Sequence, residues 1–304
     1  MEIRQLEALI GIVDHGSFSG AADALGTVQS NISNRIARLE AELGATLVDR
    51  ASGAVTESGA IVVHRARRIL SEVAAIGSDV SELNADIRGQ VDLGMIGTAG
   101  RWIVPLLLDA QRRQFPHVAL RISEGTNSAL EPRVANGQLD LAVLAWPIVT
   151  PELSDSDLFS EDLVLIVARD HPLARRTSLP FPALADIELL LPLGGTPLRR
   201  EIDEAAAAAG VVLRPLVELD GLRTIASLTF DGYGPSILPA TMLSQHLRAN
   251  FTAVHIEGIA RRRVSVVTRR FGFPAAPVRA ITALLHEVVR DAKPPRGVYV
   301  PSRS

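Results

Sequence analysis

The chain contains no cysteine, which excludes disulfides, thiolate metal sites and cysteine nucleophiles together. Lysine occurs once, at Lys293, so nearly all of the 31 basic residues are arginine. That bias reads as the codon usage of a GC-rich genome rather than as function. No apolar stretch is long enough to span a bilayer, and no basic segment followed by an apolar run and a small-residue cleavage site opens the chain. An excess of positive charge is also missing: the formal net charge is -3. Within residues 1–68 seven arginines face eight carboxylates, so affinity for nucleic acid has to come from the placement of charge, not its amount. There is no P-loop, no dinucleotide fingerprint and no His/Asp/Glu set with metal-ligand spacing. The nearest approach to a nucleophile elbow, Gly16-Ser17-Phe18-Ser19-Gly20, has Phe at its centre. These absences predict a protein that is not an enzyme and holds no cofactor or metal. They leave a soluble bacterial protein of the cytoplasm.

What is present begins at residues 16–43, GSFSGAADALGTVQSNISNRIARLEAEL. Two short helices are predicted around a Gly26-Thr27-Val28 turn. Ala21, Ala22 and Leu25 form the apolar face of the first; Ile32, Ile36, Leu39 and Leu43 recur at helical spacing along the second. The second helix's other face carries Gln29, Ser30, Ser33, Asn34, Arg35 and Arg38. A major groove admits one helix, and side chains of these types hydrogen-bond base edges there. This is the layout of a DNA-binding helix-turn-helix.

A preceding helix over residues 3–14 turns Ile3, Leu6, Leu9, Ile10 and Val13 inward. Residues 45–56 have strand-like segments about a Ser52-Gly53 turn, which suits a small wing. Arg50 on that wing either meets a phosphate or minor groove or is simply solvated. Thr56 then caps a long helix expected to reach about Ile87. Val62, Ala66, Ile69, Val73, Ile76, Val80, Leu83 and Ile87 follow a 4-3-4-3 spacing along it. A heptad seam of this kind favours pairing with a second chain, the alternative being a helix packed on its own domain.

After Arg88-Gly89-Gln90 short apolar strands alternate with helices, the pattern of an α/β domain. Strands are predicted at residues 91–96, 118–124, 139–144, 163–168, 189–191, 211–219, 236–238, 251–256 and 264–268, with a closing amphipathic helix over 276–292. The Pro/Ser/Asp-rich segment 147–157 reads as a crossing between two lobes, with a return crossing near Thr268.

The first 88 residues resemble the LysR-type transcriptional regulators. The residues carrying the resemblance are Leu6 to Phe18, the run from Gly16 to Arg50, and Thr56-Glu57-Ser58-Gly59. The remainder is similar to the same family's effector domain through SEGTNSALEPRVANGQLDLAV (123–143), HPLARR (171–176), GTPLRREIDEA (195–205) and GYGPSILP (232–239). The resemblance covers essentially the whole chain. It implies a winged helix-turn-helix at 1–58, a dimerising linker helix at 59–88 and an effector-binding domain at 89–300. That last domain would be α/β and two-lobed like a type 2 periplasmic binding protein, with lobe I near 89–160 and 269–295 and lobe II near 161–268. It also implies a homotetramer, double-stranded promoter DNA as partner, and contact with RNA polymerase if the protein activates. Two positions depart from the family pattern. Val28 replaces the usual small hydroxyl, leaving the cap to Thr27 or to nothing, at a cost of roughly 1 kcal/mol. Asn34 stands where arginine is frequent.

Candidate DNA contacts are therefore Ser17, Ser19, Gln29, Ser30, Asn31, Ser33, Asn34, Arg35, Arg38 and Arg50. Gln29, and Asn31 or Asn34, can pair bidentately with adenine. Arg35 and Arg38 contact guanine or hold phosphates, the latter being Arg38's expected part. Ser17 and Ser19 either cap the first motif helix or also meet phosphate. Candidate pairing residues are Val62, Ile69, Val73, Ile76, Val80 and Leu83. For the effector, three hydroxyl-bearing segments ahead of predicted helices stand out: Thr98 to Arg101, Thr126 to Ser128, and Gly195 to Pro197. Helix N-termini favour anions, and strand C-terminal ends line the crevice of open α/β sheets. A small anionic effector, a carboxylate, is expected, with Thr98 and Thr196 as first contacts. Behind them come Arg101, Thr126, Asn127, Trp146 and Arg223. Each hydroxyl or amide has capping as its alternative role, and Trp146 has a core or hinge role. The competing functional reading is a cytoplasmic small-molecule receptor without a DNA role.

Overall fold

The structure is a computed structural model that describes residues 1–50, 52–82 and 86–301. Four helices form the N-terminal part: α1 (Ile3–His15), α2 (Phe18–Ala24), α3 (Gln29–Leu43) and α4 (Glu57–Glu82). Leu6, Leu9, Ile12, Ala21, Ile32, Ile36, Leu39, Leu47, Val48 and Ala66 are fully or nearly fully buried together. Burial of each large aliphatic side chain is worth about 1.5–3 kcal/mol, and this common core sets α3's outer face toward solvent. Leu25 and Leu43, expected inside, are exposed at the helix ends. Gly26 takes φ 60° in the turn between α2 and α3, a left-handed conformation that glycine adopts without steric cost.

The wing is minimal, one antiparallel bridge between Val48 and Val55. Thr56 caps α4 as expected, its Oγ1 accepting from Gly59 N at 3.0 Å. A Cβ on buried Gly59 would collide with the carbonyl oxygen of Leu47 and lie 2.9 Å from its carbonyl carbon. Gly59→Ala is therefore expected to cost about 3 kcal/mol, because rigid backbone has to move. Thermal unfolding of the variant against wild type checks this, and an unchanged midpoint would contradict it.

The expected continuous seam along α4 divides in two. Val62 and Ile69 are half-buried against the helix-turn-helix core, beside buried Ala66, and Arg67 of α4 pairs with Asp14 of α1. Further along, Ala75 is buried, and Asp79 Oδ1 accepts from Ala276 N at 2.9 Å in the C-terminal domain. Val73, Ile76 and Val80 remain 45 %, 64 % and 57 % exposed. Leu83 lies outside the described residues. Ile87 is not helical and packs against the core of the first lobe.

The second part runs β1 (Gly89–Met95), α5 (Gly97–Gln114), β2 (Val118–Glu124), α6 (Asn127–Ala135), β3 (Leu141–Ala145) and β4 (Leu153–Glu161). It continues with β5 (Leu163–Ala168), β6 (Ser178–Pro180), β7 (Glu188–Pro192), α7 (Pro197–Ala208), β8 (Arg214–Leu219), α8 (Leu222–Phe230), β9 (Ser236–Pro239) and β10 (Phe251–Glu257). Last come β11 (Arg262–Arg269), α9 (Ala276–Asp291) and β12 (Val298–Tyr299). Two six-stranded sheets result, ordered β12-β4-β11-β3-β1-β2 and β6-β10-β5-β9-β7-β8. They are the two lobes.

This topology corrects the two expected crossings. Residues 153–161 are not part of a crossing but a strand antiparallel to β11, and β11 belongs to the first lobe's sheet. The sequence LSDSDLFSE looks loop-like because its polar residues interrupt the apolar alternation. In the sheet, Arg263 of β11 pairs with Asp155 at 3.0 Å and Asp157 at 3.2 Å, and Ser156 bonds His286 at 3.1 Å. Partners on neighbouring elements make a polar strand tolerable. The chain actually crosses between lobes at Asp162 and returns over residues 258–261. Glu161, fully buried beside the first crossing, accepts from Thr241 N (3.2 Å) and Oγ1 (2.7 Å) and pairs with Arg262 at 3.4 Å.

Candidate DNA interface and effector cleft

The outer face of α3 presents Gln29, Ser30, Asn31, Asn34 and Arg38 exposed, with Ser33 and Arg35 half-buried. Val28 is the N-cap and offers no side-chain bond. Thr27 does not cap the backbone either: its Oγ1 accepts from Asn31 Nδ2 at 2.9 Å. One donor of Asn31 is thereby engaged, which leaves Gln29 and Asn34 as the amides on this face for which no internal bond is recorded among the described residues. Ser17 is the N-cap of α2, accepting from Gly20 N at 2.9 Å, while exposed Ser19 follows inside the first turn. Arg50 is exposed and held at 3.2 Å from Glu40 Oε2.

Glu40 was not singled out by sequence reasoning. Its Oε1 accepts from Leu47 N (2.8 Å) and Val48 N (3.3 Å) while Oε2 holds Arg50. One carboxylate therefore ties the wing and its arginine to the end of α3. An acid two turns after the exposed amides of α3 looks like an ordinary solvated helix residue, and only the returning chain reveals its use.

In the second part, parallel pairing of β1 with β2 and β3 brings the starts of α5 and α6 together at one end of the first sheet. Thr98 and Arg101 lie within the first turns of α5, not in a loop ahead of it. Thr98 is buried, and among the described residues its Oγ1 has no hydrogen-bond partner. Thr126 is the N-cap of α6 and its hydroxyl lies 3.0 Å from Ser128 Oγ. Asn127 is otherwise engaged: its amide donates to Ala145 O and accepts from Ala145 N at 3.3 Å, latching α6 to the end of β3. That reciprocal pairing is a structural use of the side chain. Trp146 is 53 % exposed, not in the core, and the Arg263 guanidinium lies 4.9 Å from its ring centroid. From the second lobe, Thr196 is the N-cap of α7 with its hydroxyl donating to Leu193 O at 2.9 Å.

Two of the contacts between the lobes use expected effector residues. Arg223, in the first turn of α8, pairs with Glu124 at the end of β2. Arg101 of α5 lies 5.6 Å from the ring centroid of Phe230 on α8. The Glu124 carboxylate also fills the space that a side chain on Gly97 would need at the start of α5, where helix N–H groups favour negative charge. Glu124 is the second residue that sequence reasoning missed. It lies in the β2 segment, where it reads as the polar end of a strand. Among the described residues no His/Asp/Glu cluster has metal-site geometry, and no helix is long and apolar enough to cross a membrane.

Comparison with known proteins matches both halves. Residues 3–60 fit the model of the bacterial regulatory helix-turn-helix protein, lysR family, and residues 84–290 fit the LysR substrate binding domain. A probable hydrogen peroxide-inducible genes activator of Streptomyces viridosporus is 30 % identical over 297 residues, covering 95 % of each chain. A full-length OxyR variant of Pseudomonas aeruginosa shares the fold with a TM-score of 0.77 at 23 % identity, covering 100 % of this chain and 99 % of that one. The full-length regulator CbnR, solved in complex with its target DNA, has a TM-score of 0.64 at 26 % identity, over 95 % of this chain and 99 % of that one. The chain belongs to the LysR family: it is a DNA-binding transcriptional regulator, not an enzyme.

Proposed function

We propose that the protein binds an interrupted, two-fold symmetric promoter site through α3 and the wing, pairs along α4, and assembles as a dimer of dimers. We further infer that it responds to a small anion, a carboxylate, in the cleft between the lobes. The exposed amides and arginines on α3 support the first part, since these side chains read base edges and hold phosphates. The second rests above all on Thr98, whose hydroxyl, buried in the first turn of α5, has no partner among the described residues. A buried polar group left unsatisfied costs about 1–3 kcal/mol, and an arriving oxyanion would relieve it.

In this reading Glu124 is the resident anion of the cleft. A ligand carboxylate at the start of α5 displaces it and takes over Arg223, resetting the lobes relative to each other. The response is then a difference in affinity between two lobe settings, transmitted to the spacing of paired DNA-binding domains. The Streptomyces relative's name speaks of hydrogen peroxide. With no cysteine in this chain, a response through thiol oxidation is not open to it.

The test is footprinting on the promoter region of its own gene, with and without a panel of small carboxylates. Thr98→Val should abolish the change caused by ligand and leave ligand-free DNA affinity within twofold of wild type. A ligand response that survives in Thr98→Val would rule out the cleft assignment. Absence of any preference for promoter over scrambled DNA would rule out the recognition reading instead.

A further inference from the structure

At the hinge edge of the second lobe lie two adjoining cavities of about 390 and 160 Å³, which share Ala253 and Arg296 in their walls. None of the effector candidates lines either one. The smaller is walled by three arginines from separate segments: Arg169 just after β5, Arg248 in the short 3-10 helix Gln245–Ala249, and Arg296 ahead of β12. Among the described residues none of the three has a carboxylate within ion-pair distance. Arg169 Nε donates to Arg248 O at 2.9 Å, and Arg248 Nε is buried without a partner. Three arginines at one pocket repel each other, and among the described residues no carboxylate pairs with any of them. An oxyanion with several acceptor oxygens would offset that charge, and guanidinium forks match phosphate geometry in particular.

The larger cavity is of a size that holds a small metabolite. Its wall offers Thr177 and Ser178 hydroxyls, His255, and Arg261 stacked at 3.6 Å on the Tyr299 ring. Asp162 is the one carboxylate lining it, already engaged by Arg261 at 3.1 Å and Tyr299 Oη at 2.9 Å. Nearby, Glu257 accepts from Ser178 Oγ at 2.7 Å. We propose that this groove binds a phosphomonoester of a small hydroxylated molecule, the phosphate among Arg169, Arg248 and Arg296 and the body in the larger cavity. Asp162 is one interlobe crossing and Arg261 ends the other, while Arg296 rides on the tail whose Val298 and Tyr299 pair with β4. A ligand here touches both hinge strands, so its occupancy biases the lobe setting from a site separate from the cleft.

The experiment is isothermal titration of the full-length protein with inorganic phosphate and with glycerol 3-phosphate, against chloride and glycerol at matched ionic strength. Saturable binding of both phosphates is expected, with glycerol 3-phosphate the tighter. Arg296→Gln, a change on an exposed tail residue, should weaken it at least tenfold, Arg248→Gln likewise, and Thr98→Val should leave it unchanged. No saturable binding beyond chloride overturns the proposal, as does binding that both arginine variants retain. Loss of phosphate binding in Thr98→Val would move the site to the cleft. If Arg296→Gln keeps phosphate affinity but lowers promoter affinity in phosphate-free buffer, the patch is a DNA contact and the proposal also fails.

Discussion

Replacing Ile76 with aspartate is expected to break the proposed pairing along α4, halving the mass of the assembly, and to lower promoter affinity on the order of 10²–10⁴-fold. That range is what is lost when two linked half-site contacts become independent. The reason is the division of labour along α4. Its first half contributes Val62, Ala66 and Ile69 to the helix-turn-helix core, and Ala75 and Asp79 dock the second half on the C-terminal domain. After both obligations are met, Val73, Ile76 and Val80 still form an exposed stripe at 3-4 spacing, with Ile76 the most exposed of the three. A helix with its own domain fully served has no internal use for such a stripe, and a second copy would bury it. Light scattering coupled to size exclusion, followed by DNA titration, checks both halves of the expectation. Val212→Asp, at a valine even more exposed but far from α4 in sequence, is the control that should change neither. If Ile76→Asp keeps the wild-type mass, pairing along α4 is wrong.

Replacing Glu161 with alanine should cost about 3–5 kcal/mol of stability, the range for removing one partner of a buried ion pair. Glu161 is fully buried between the lobes and joins three pieces of chain: its own strand, Thr241 of the second lobe, and Arg262 at the returning crossing. The alanine variant leaves Arg262, itself nearly buried, with the more distant Glu201 at 3.7 Å as its remaining carboxylate among the described residues. Glu161→Gln keeps an acceptor for Thr241 and should cost clearly less. The pH dependence has a definite sign. Burial holds the Glu161 carboxyl above its ordinary value, against the opposing pull of Arg262 and the Thr241 bonds. The folded protein therefore binds that proton more readily than the unfolded chain. The stability this group contributes is greatest below the ordinary carboxylate value and declines as pH rises through its raised one. Urea unfolding from pH 4 to 8 should show this slope diminished in Glu161→Gln. An equal slope in both proteins would place the titration elsewhere.

Much of the architecture is legible from local patterns. Helical spacing of Ile32, Ile36 and Leu39 is enough to find α3 and its solvent face, because a small three-helix core has one way to bury those residues. Thr56 announces the start of α4, since a hydroxyl just ahead of an acidic first helical residue has a backbone N–H of the first turn to accept from. Short apolar runs likewise mark most strands. Periodicity is weakest where polar side chains are satisfied from a distance, as in β4. Its aspartates and serines are acceptable in a sheet only because Arg263, Thr268 and His286 lie across from them. β11, read as second-lobe sequence, is a first-lobe strand, so the return between lobes falls ahead of it and not near Thr268.

The candidate site divides along the same line. Gln29, Asn34 and Arg38 could be chosen from sequence because an α-helix fixes which residues share a face. Hydroxyls at predicted helix starts could be chosen for the same local reason. Which of those groups are already engaged was not available at that level: Asn31 on Thr27, Asn127 on Ala145, Arg50 on Glu40, Arg223 on Glu124. The amino-acid order by itself determined the elements, their inward faces and the family of folds they build, since propensity and apolar periodicity act within a few residues. Only the tertiary structure decided which charges neutralise one another, which hydroxyl stays unsatisfied and which helix stripe stays bare. Those outcomes depend on groups brought within hydrogen-bond reach from distant parts of the chain, and no short-range pattern encodes them.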